Sequence, residues 1–463
     1  MNFIKISKKD FNKVALITKQ EKKITYKELY FESEKLKKKF KKRSLVFLLA
    51  GNNHETIVSY LSLLKGKCVI FFLDQNINQN YLDSLIKSYK PNYIIKGNSQ
   101  VLKDYSFSFS YENLSCFKQK KFTKLNLHKD LVILLTTSGS TGTKKLVRQS
   151  YKNYVSNTAN IIKKLGINNR LSTITTLPIS YTFGLSIINT HLSTGSKIIL
   201  NEDSILQKDF WKKFYKHKPS ILYGVPYTYE LFSKIGFDRI FQNGLKKIAH
   251  AGGRLSKNLF LEITKFSEKK KIKFYSMYGQ SEATARISIL DTKYIKRKIN
   301  SIGKALPGSK FILKDENKNP IKKDNEPGIL YYYGKNVCLG YAQNYKDLKK
   351  GDENKKFINT GDIAYYDKDN FFFIVGRKKR MTKIYGHSVN LDEVEMIIEK
   401  LGFKIVCQNV DDQLILNFDN KRINKDLIKQ TLIKLLKLNP KNINFNFVEQ
   451  FNMNESGKII FND

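Results

Sequence analysis

At about 150 residues per compact unit, a chain of 463 residues has room for roughly three, each able to bury a full core. Its 41% apolar content, with 25 glycines and 8 prolines, excludes disordered and collagen-like classes. Its four scattered cysteines (Cys68, Cys116, Cys338 and Cys407) argue against a disulfide-built secreted domain or a zinc ribbon and for reduced thiols in a cytosol. The net charge of +42, from 83 Lys and Arg against 41 Asp and Glu, suits either a polyanion partner or a drift toward AT-rich codons. Lysines spread along the whole chain, with abundant Asn, Ile, Phe and Tyr, favour the drift. The six histidines form no metal-ligand spacing. The start, MNFIKISKKDFNK, lacks the apolar stretch of a signal peptide, and LVFLLA (45–50) and LVILL (131–135) are far short of the ~18 residues that cross a bilayer. The expectation is a soluble, cytoplasmic protein without a transmembrane segment.

In chain order, residues 26–43 predict a helix with Leu29, Ser33, Leu36 and Phe40 near one face and lysines over the rest. SLVFLLAG follows as a buried strand, then a helix through Leu61 and Leu64, then strands at CVIFFLD and NYIIK. Strands separated by helices imply a doubly wound parallel sheet. The alternation continues through STITTLPIS (172–180), KIILNED (197–203), SILYGVP (220–226), KKIAHAGG (246–253) and KIKFYSMYG (271–279). From about 300 to 375 short strands replace helices, as in GILYYYG and NFFFIVG, which predicts a small β unit. Helices return near Asp392 and at 425–437. No internal repeat or long linker interrupts the chain.

The sharpest local signal is LVILLTTSGSTGTKK (131–145). An apolar strand runs into a loop of hydroxyl residues and glycines that ends in lysine. Glycines let backbone N–H groups approach a polyphosphate, hydroxyls add donors and the lysine adds charge. The spacing is not that of a P-loop: Gly139 and Gly142 are three apart, and leucine follows Lys145. Taken alone, such a loop is as often a plain connector.

T-S-G-S-T-G-x-x-K resembles the phosphate loop of the adenylate-forming superfamily, which includes acyl-CoA synthetases, peptide-synthetase adenylation domains and firefly luciferase. Further matches follow in that superfamily's order, from 137 to 458, so the resemblance covers nearly the whole chain. It implies a mixed α/β fold with a β-rich part: a large N-terminal domain (1–375) of doubly wound parallel sheets, with a barrel-like β unit at 300–375, and a small mobile α+β domain (376–463). Thr137, Ser138, Gly139, Ser140, Thr141, Gly142 and Lys145 would cradle the phosphates of ATP. MYGQSEAT (277–284) is similar to the Tyr-Gly-x-Thr-Glu motif. By that likeness Tyr278 stacks on adenine, with Gly279 and Gln280 beside it. Ser281 bonds the α-phosphate and Glu282 holds the Mg²⁺ carried by ATP, which suits a hard cation that takes one carboxylate plus phosphate oxygens and waters. NTGDIAYYD (359–367) resembles the Thr-Gly-Asp motif, so Asp362 would accept from the ribose hydroxyls. VGRKKRMTKIYGHSVNLDEVE (375–395) resembles the hinge and the start of the C-terminal domain. Arg377 would contact ribose and phosphates, Lys379 would mark the hinge, Lys383 would join the nucleotide site and Gly386 would let a pantetheine arm pass. NESGKI (454–459) resembles the last motif and makes Lys458 the catalytic lysine.

Weaker likenesses implicate Tyr181 and Phe183 (in LPISYTFGL), Tyr223 and Val225 (in YGVPYTYELF), and Gly252 and Gly253 (in HAGGRLS) in the acid pocket. Departures are Lys144 for the usual proline, Ile329 for glutamate after Pro-Gly, Ser388 for a common arginine and Asn452 for a common proline; the change at 388 touches the second half-reaction. The implied activity is an ATP-dependent, AMP-forming ligase: a carboxylic acid becomes an acyl-adenylate and passes to a thiol, coenzyme A or the phosphopantetheine of a separate, acidic carrier protein. Amino-acid-activating relatives hold the substrate ammonium on an aspartate where Tyr181 stands here. That favours an acid without an α-amine, since an unpaired buried ammonium is costly. A non-catalytic protein of this fold would be expected to lose Glu282, Asp362 or Lys458, and all are present. A specific nucleic-acid binder would show aromatics interleaved in a basic patch, which the basic runs lack.

Overall fold

The computed structural model describes residues 4, 6–97, 102–136, 145–240, 244–384, 387–436 and 438–451, with the backbone alone at 387 and 388. Two large sheets carry most of the chain. In the first, eight strands lie in the spatial order Gly340–Ala342, Leu146–Ser150, Leu131–Thr136, Val69–Asp74, Leu45–Ala50, Tyr93–Lys96, Leu114–Gln119 and Tyr105–Tyr111. Its centre is parallel. All six residues of Leu45–Ala50 are buried, as a continuous apolar strand with both faces covered must be. In the second, nine-stranded sheet the parallel centre runs through Val14–Ile17, Lys197–Ile199, Ser172–Ile174, Ile221–Gly224, Lys247–His250 and Lys273–Gln280, flanked by antiparallel edges.

The helices follow from their caps and faces. Thr25 and Glu28 form a capping box ahead of helix Tyr26–Lys37, which buries Leu29, Ser33 and Leu36. Phe40 is buried just beyond it. The lysine-rich run is therefore largely the solvated side of a packed helix. Ser150 forms a second capping box with Asn153 ahead of Tyr151–Leu165, and the Asn53 side chain caps His54–Lys65 by accepting from the Thr56 N–H.

Three features depart from the sequence reading. Residues 105–119 are an antiparallel hairpin at the edge of the first sheet. YSFSFSY alternates serines with aromatics, and only Tyr105 of that strand is fully buried, so the half-exposed run carries no core signal. Among the described residues the β-rich stretch is a four-stranded antiparallel sheet, ordered Lys310–Lys314, Gly328–Tyr333, Phe357–Tyr366 and Phe372–Arg377, whose outer strands do not pair to close a barrel. Gly340–Ala342 leaves this stretch to join the first sheet. The small C-terminal part has its own sheets and its own core, which includes Ile384, Val394, Cys407, Leu416 and Ile428. The four cysteines are buried thiols. Among the described residues no helix is long and apolar enough to cross a membrane.

Two buried histidines tie stability to pH. Burial, with Arg286 near, pulls His191 down to about 4, and burial pulls His250 down to about 3. An unfolded chain protonates them near pH 6.5. Between those values the unfolded state binds more protons, so stability falls as pH drops below about 6.5. Denaturation midpoints measured between pH 7 and pH 5 should decline, and a His250→Leu variant should show a shallower decline.

Candidate active site

The site is assembled where the edge of the first sheet meets the hairpin at the end of the second. Strands Leu131–Thr136 and Leu146–Ser150 are antiparallel neighbours, with Thr136 opposite Leu146. The connecting residues Thr137, Ser138, Gly139, Ser140, Thr141 and Gly142, and Lys144 after them, lie outside the described residues, as do Gly386, Asn452 and Lys458.

Lys145 Nζ stands 3.8 Å over the ring of Tyr341. The Tyr341 hydroxyl donates to Glu282 Oε1 at 3.0 Å. Burial, reinforced by the charge of Glu282, pushes this phenol's pKa well up, so it remains a donor. Arg148 fixes the segment that carries Tyr341. It is wholly buried, and its Nε donates to the Tyr341 carbonyl at 3.0 Å. Its other nitrogens reach the carbonyls of Leu339, Lys350 and Gly351 and the carboxylate of Glu353.

Glu282 sits in the tight turn Ser281–Ala283 that joins strand Lys273–Gln280 to strand Ala285–Leu290. The turn requires Gly279: a Cβ there would lie 1.6 Å from the Ala285 carbonyl oxygen. Ser281 Oγ is 2.7 Å from Thr182 Oγ1, and its carbonyl accepts from Gln149 Nε2 at 2.7 Å. The Gln280 amide nitrogen is buried and without a hydrogen-bond partner among the described residues.

A second chain of contacts starts three residues before Ser281. The Tyr278 hydroxyl donates to Asp362 Oδ2. Asp362 is opposite Arg377 in the strand register, and Arg377 Nε lies 3.4 Å from its Oδ1. Burial first, then the Asp362 charge, holds the Tyr278 pKa well above its ordinary value. Asp362 is buried, whereas the Arg377 side chain is 60% exposed, so their ion pair is screened by solvent. The Arg377 backbone N–H donates to Asp392 Oδ2 at 2.7 Å. Arg380 pairs with Asp392 and Glu395. The turn Lys378–Arg380 is thereby clamped to helix Leu391–Lys400. Lys379 within this turn and Lys383 on the next strand are exposed.

Of the six residues expected around an acid, Phe183, Tyr223 and Val225 share one buried cluster with Tyr181 packed against it. Tyr181 immediately precedes helix Thr182–Leu192. At Gly252, with φ +90°, a Cβ would meet Val225 Cγ1 at 3.0 Å and the Tyr181 hydroxyl at 3.1 Å, and at Gly253 it would meet Pro226. Phe183 and Tyr223 meet edge to face at 6.1 Å. Burial pushes Tyr181 up to about 12, so it stays a neutral phenol.

Tyr341, Arg148, Thr182 and Gln149 were not anticipated. An arginine inside the fully buried strand LVRQS was the one available signal for the first two. No group of three metal-ligating side chains exists among the described residues. One carboxylate, Glu282, fits a magnesium ion that takes its other oxygens from phosphates and water.

This is the fold of the adenylate-forming enzymes. The AMP-binding enzyme family matches residues 5–342, and the chain belongs to that family. A luciferin 4-monooxygenase of Photuris pensylvanica is 28% identical over 287 residues, which is 60% of this chain and 51% of that protein. A 2-succinylbenzoate–CoA ligase of Listeria innocua is 26% identical over 384 residues, 81% of this chain and 78% of that one. Among solved structures, an o-succinylbenzoate coenzyme A synthetase from Bacillus subtilis in complex with ATP and magnesium ion superposes with a TM-score of 0.75 at 17% identity. The match covers 96% of this chain and 95% of that one, a likeness of fold.

Proposed function

We propose that the chain is an ATP-dependent, AMP-forming carboxylic acid ligase that activates an acid as its adenylate and passes the acyl group to coenzyme A. The observation that carries this reading is the meeting of Tyr278 with Asp362, 84 residues away in sequence, directly beside Ser281 and Glu282. The Tyr278 ring, the Asp362 carboxylate brought to it from another sheet, and the Ser281 hydroxyl and Glu282 carboxylate of the adjoining turn suit adenine, ribose, α-phosphate and magnesium in that order. The relatives named as coenzyme A ligases, and the one whose structure holds ATP and magnesium, support the same reading.

The chemistry must bring two anions together. Lys145, the backbone donors of 137–142 and Glu282, through the magnesium that accompanies ATP, neutralise and orient the triphosphate. Tyr341 orients Glu282, and Thr182 orients Ser281. Asp362 holds the ribose with Arg377. Lys458 bridges the incoming carboxylate and the α-phosphate as charge develops, the kind of fixed donor that contributes most in a water-poor site. Holding acid and α-phosphorus in line supplies much of the remaining acceleration. The acyl group then passes to the thiol after rotation at Lys379, which brings the Gly386 segment forward. We place the boundary between the two moving parts at the end of strand Phe372–Arg377, where the chain leaves the four-stranded sheet. A cytoplasmic location suits an enzyme that uses ATP and coenzyme A.

The test is product analysis. Protein, MgATP and pools of carboxylic acids are incubated with hydroxylamine or with coenzyme A, and products are read by mass. The expected products are AMP, an acyl hydroxamate and an acyl-CoA that share one acyl group. ADP as the nucleotide product, or no acyl product from any pool despite ATP binding, contradicts the proposal.

A further inference from the structure

Arg286 lies on strand Ala285–Leu290 and is 1% exposed. None of its three guanidinium nitrogens has a hydrogen-bond partner among the described residues. Its charge sits 4.9 Å from the ring centre of Phe183 and 5.3 Å from that of Tyr223. Ring faces recover part of a guanidinium's desolvation cost but offer no acceptor in its plane. Burial pulls Arg286 down to about 10, and the Tyr223 hydroxyl is near enough to favour its charged form but is at best a weak, poorly aligned partner.

Two further polar atoms converge here. The Tyr223 hydroxyl and His191 Nε2 are both buried without partners among the described residues. The His191 ring stands 5.7 Å from that of Tyr223, and its Nδ1 is 3.0 Å from the Ile187 carbonyl.

The chain contains its own control. Arg148 is just as deeply buried, but it gives its nitrogens to four carbonyls and a carboxylate. A buried arginine that holds structure together is satisfied in this way. Arg286 has the opposite environment, and it has it beside Phe183 and Tyr223. Those two rings belong to one buried cluster with Val225, against which Tyr181 packs, and these are residues read above as the acid pocket. The Arg286 backbone is held in place, since its carbonyl accepts from Asn157 Nδ2 at 2.6 Å.

We propose that Arg286 receives a second carboxylate of the substrate, so that the enzyme activates dicarboxylic acids: one carboxylate is adenylated and the other is bound by the Arg286 guanidinium, with the Tyr223 hydroxyl as a further donor. This rests on the reading of that wall as the acid pocket. A planar guanidinium matches a carboxylate with two parallel N–H bonds, and such charge-assisted pairs are the strong ones. The same charge repels an ammonium, which agrees with the absence of a carboxylate at Tyr181.

The experiment uses the full chain and matched acids. Succinate, glutarate, adipate and benzene-1,2-dicarboxylate are each compared with their monomethyl esters, which keep the carbon chain and one carboxylate and are larger by one methyl group. Acid-dependent AMP formation is measured for the native protein, for Arg286→Met and for Arg286→Lys. Calorimetric binding of the same acids, with no ATP present, runs beside it. The native protein should prefer at least one diacid over its half-ester by fiftyfold or more in kcat/KM. That ratio should collapse to within threefold of one in Arg286→Met, through KM for the diacid, and recover partly in Arg286→Lys. A native preference for the half-esters overturns the proposal. So does a loss in Arg286→Met that is equal for diacid and half-ester, which would mark a structural arginine. Should Arg286→Met fail to fold by circular dichroism, the native ratio and Arg286→Lys decide. Should the native chain form no AMP with any acid, the ligase reading fails, and calorimetry still decides this one: diacid binding that is lost on substitution supports it, and no diacid binding to the native chain overturns it.

Discussion

Replacing Lys458 by alanine should lower acid-dependent adenylate formation by about 10²–10³-fold, the usual cost of removing one preorganised donor to developing charge. The loss should appear in kcat, with ATP affinity changed by less than about threefold, because a group that acts on the transition state contributes little to ground-state binding. Thiolysis of an acyl-adenylate supplied from outside should be far less affected, since by the proposed function rotation at Lys379 carries Lys458 away before that step. Single-turnover kinetics of the two half-reactions separate the effects. Equal losses in both would show that the lysine supports the fold of the C-terminal part and not the first chemistry.

Asp362→Ala should act on the other substrate. The carboxylate accepts from Tyr278 and faces Arg377, and by the proposed function it also holds two ribose hydroxyls. Hydrogen bonds to a charged group contribute roughly 1.5–3 kcal/mol each, so KM for ATP should rise by at least about tenfold, with the acid's KM little changed. The phenol of Tyr278 loses its buried acceptor as well, and the unfolding midpoint should drop. Tyr278→Phe with Asp362→Ala should restore part of the stability and none of the ATP affinity, because removing both partners leaves no buried donor unpaired. A KM for ATP that stays within twofold of the native value would remove Asp362 from the nucleotide site.

Much of this organisation was legible in the chain itself. Continuous apolar runs such as LVFLLA and VIFFLD announce central parallel strands, and those strands form the middle of the first sheet. Short runs were overestimated: STITTLPIS contributes only Ser172–Ile174 to the second sheet, because the proline at 178 and the turn that follows take the rest. The hairpin at 105–119 was missed because one face of an edge strand is wet and its apolar content is diluted. The Tyr-Gly-x-x-Glu and Thr-Gly-Asp segments marked Tyr278, Glu282 and Asp362, but their contact is made between sheets and has no local signature.

Arg148 and Arg286 show most plainly where reading residues runs out. Both are single arginines in fully buried strands. One is satisfied by groups about 190–205 positions away, and the other has no such partners among the described residues. Only the three-dimensional arrangement separates a structural arginine from one with bonds still to make.

The most direct test of the central claim is acid-dependent exchange of labelled pyrophosphate into ATP by the native chain, run across the acid pools with magnesium present. Reversible adenylation returns label to ATP only when the right acid is present, and only the α–β phosphate bond is cut. Label in ATP that depends on one acid and vanishes in Lys458→Ala is the predicted result. No exchange with any acid under conditions where ATP binds, or exchange that proceeds equally well without acid, would contradict the assignment.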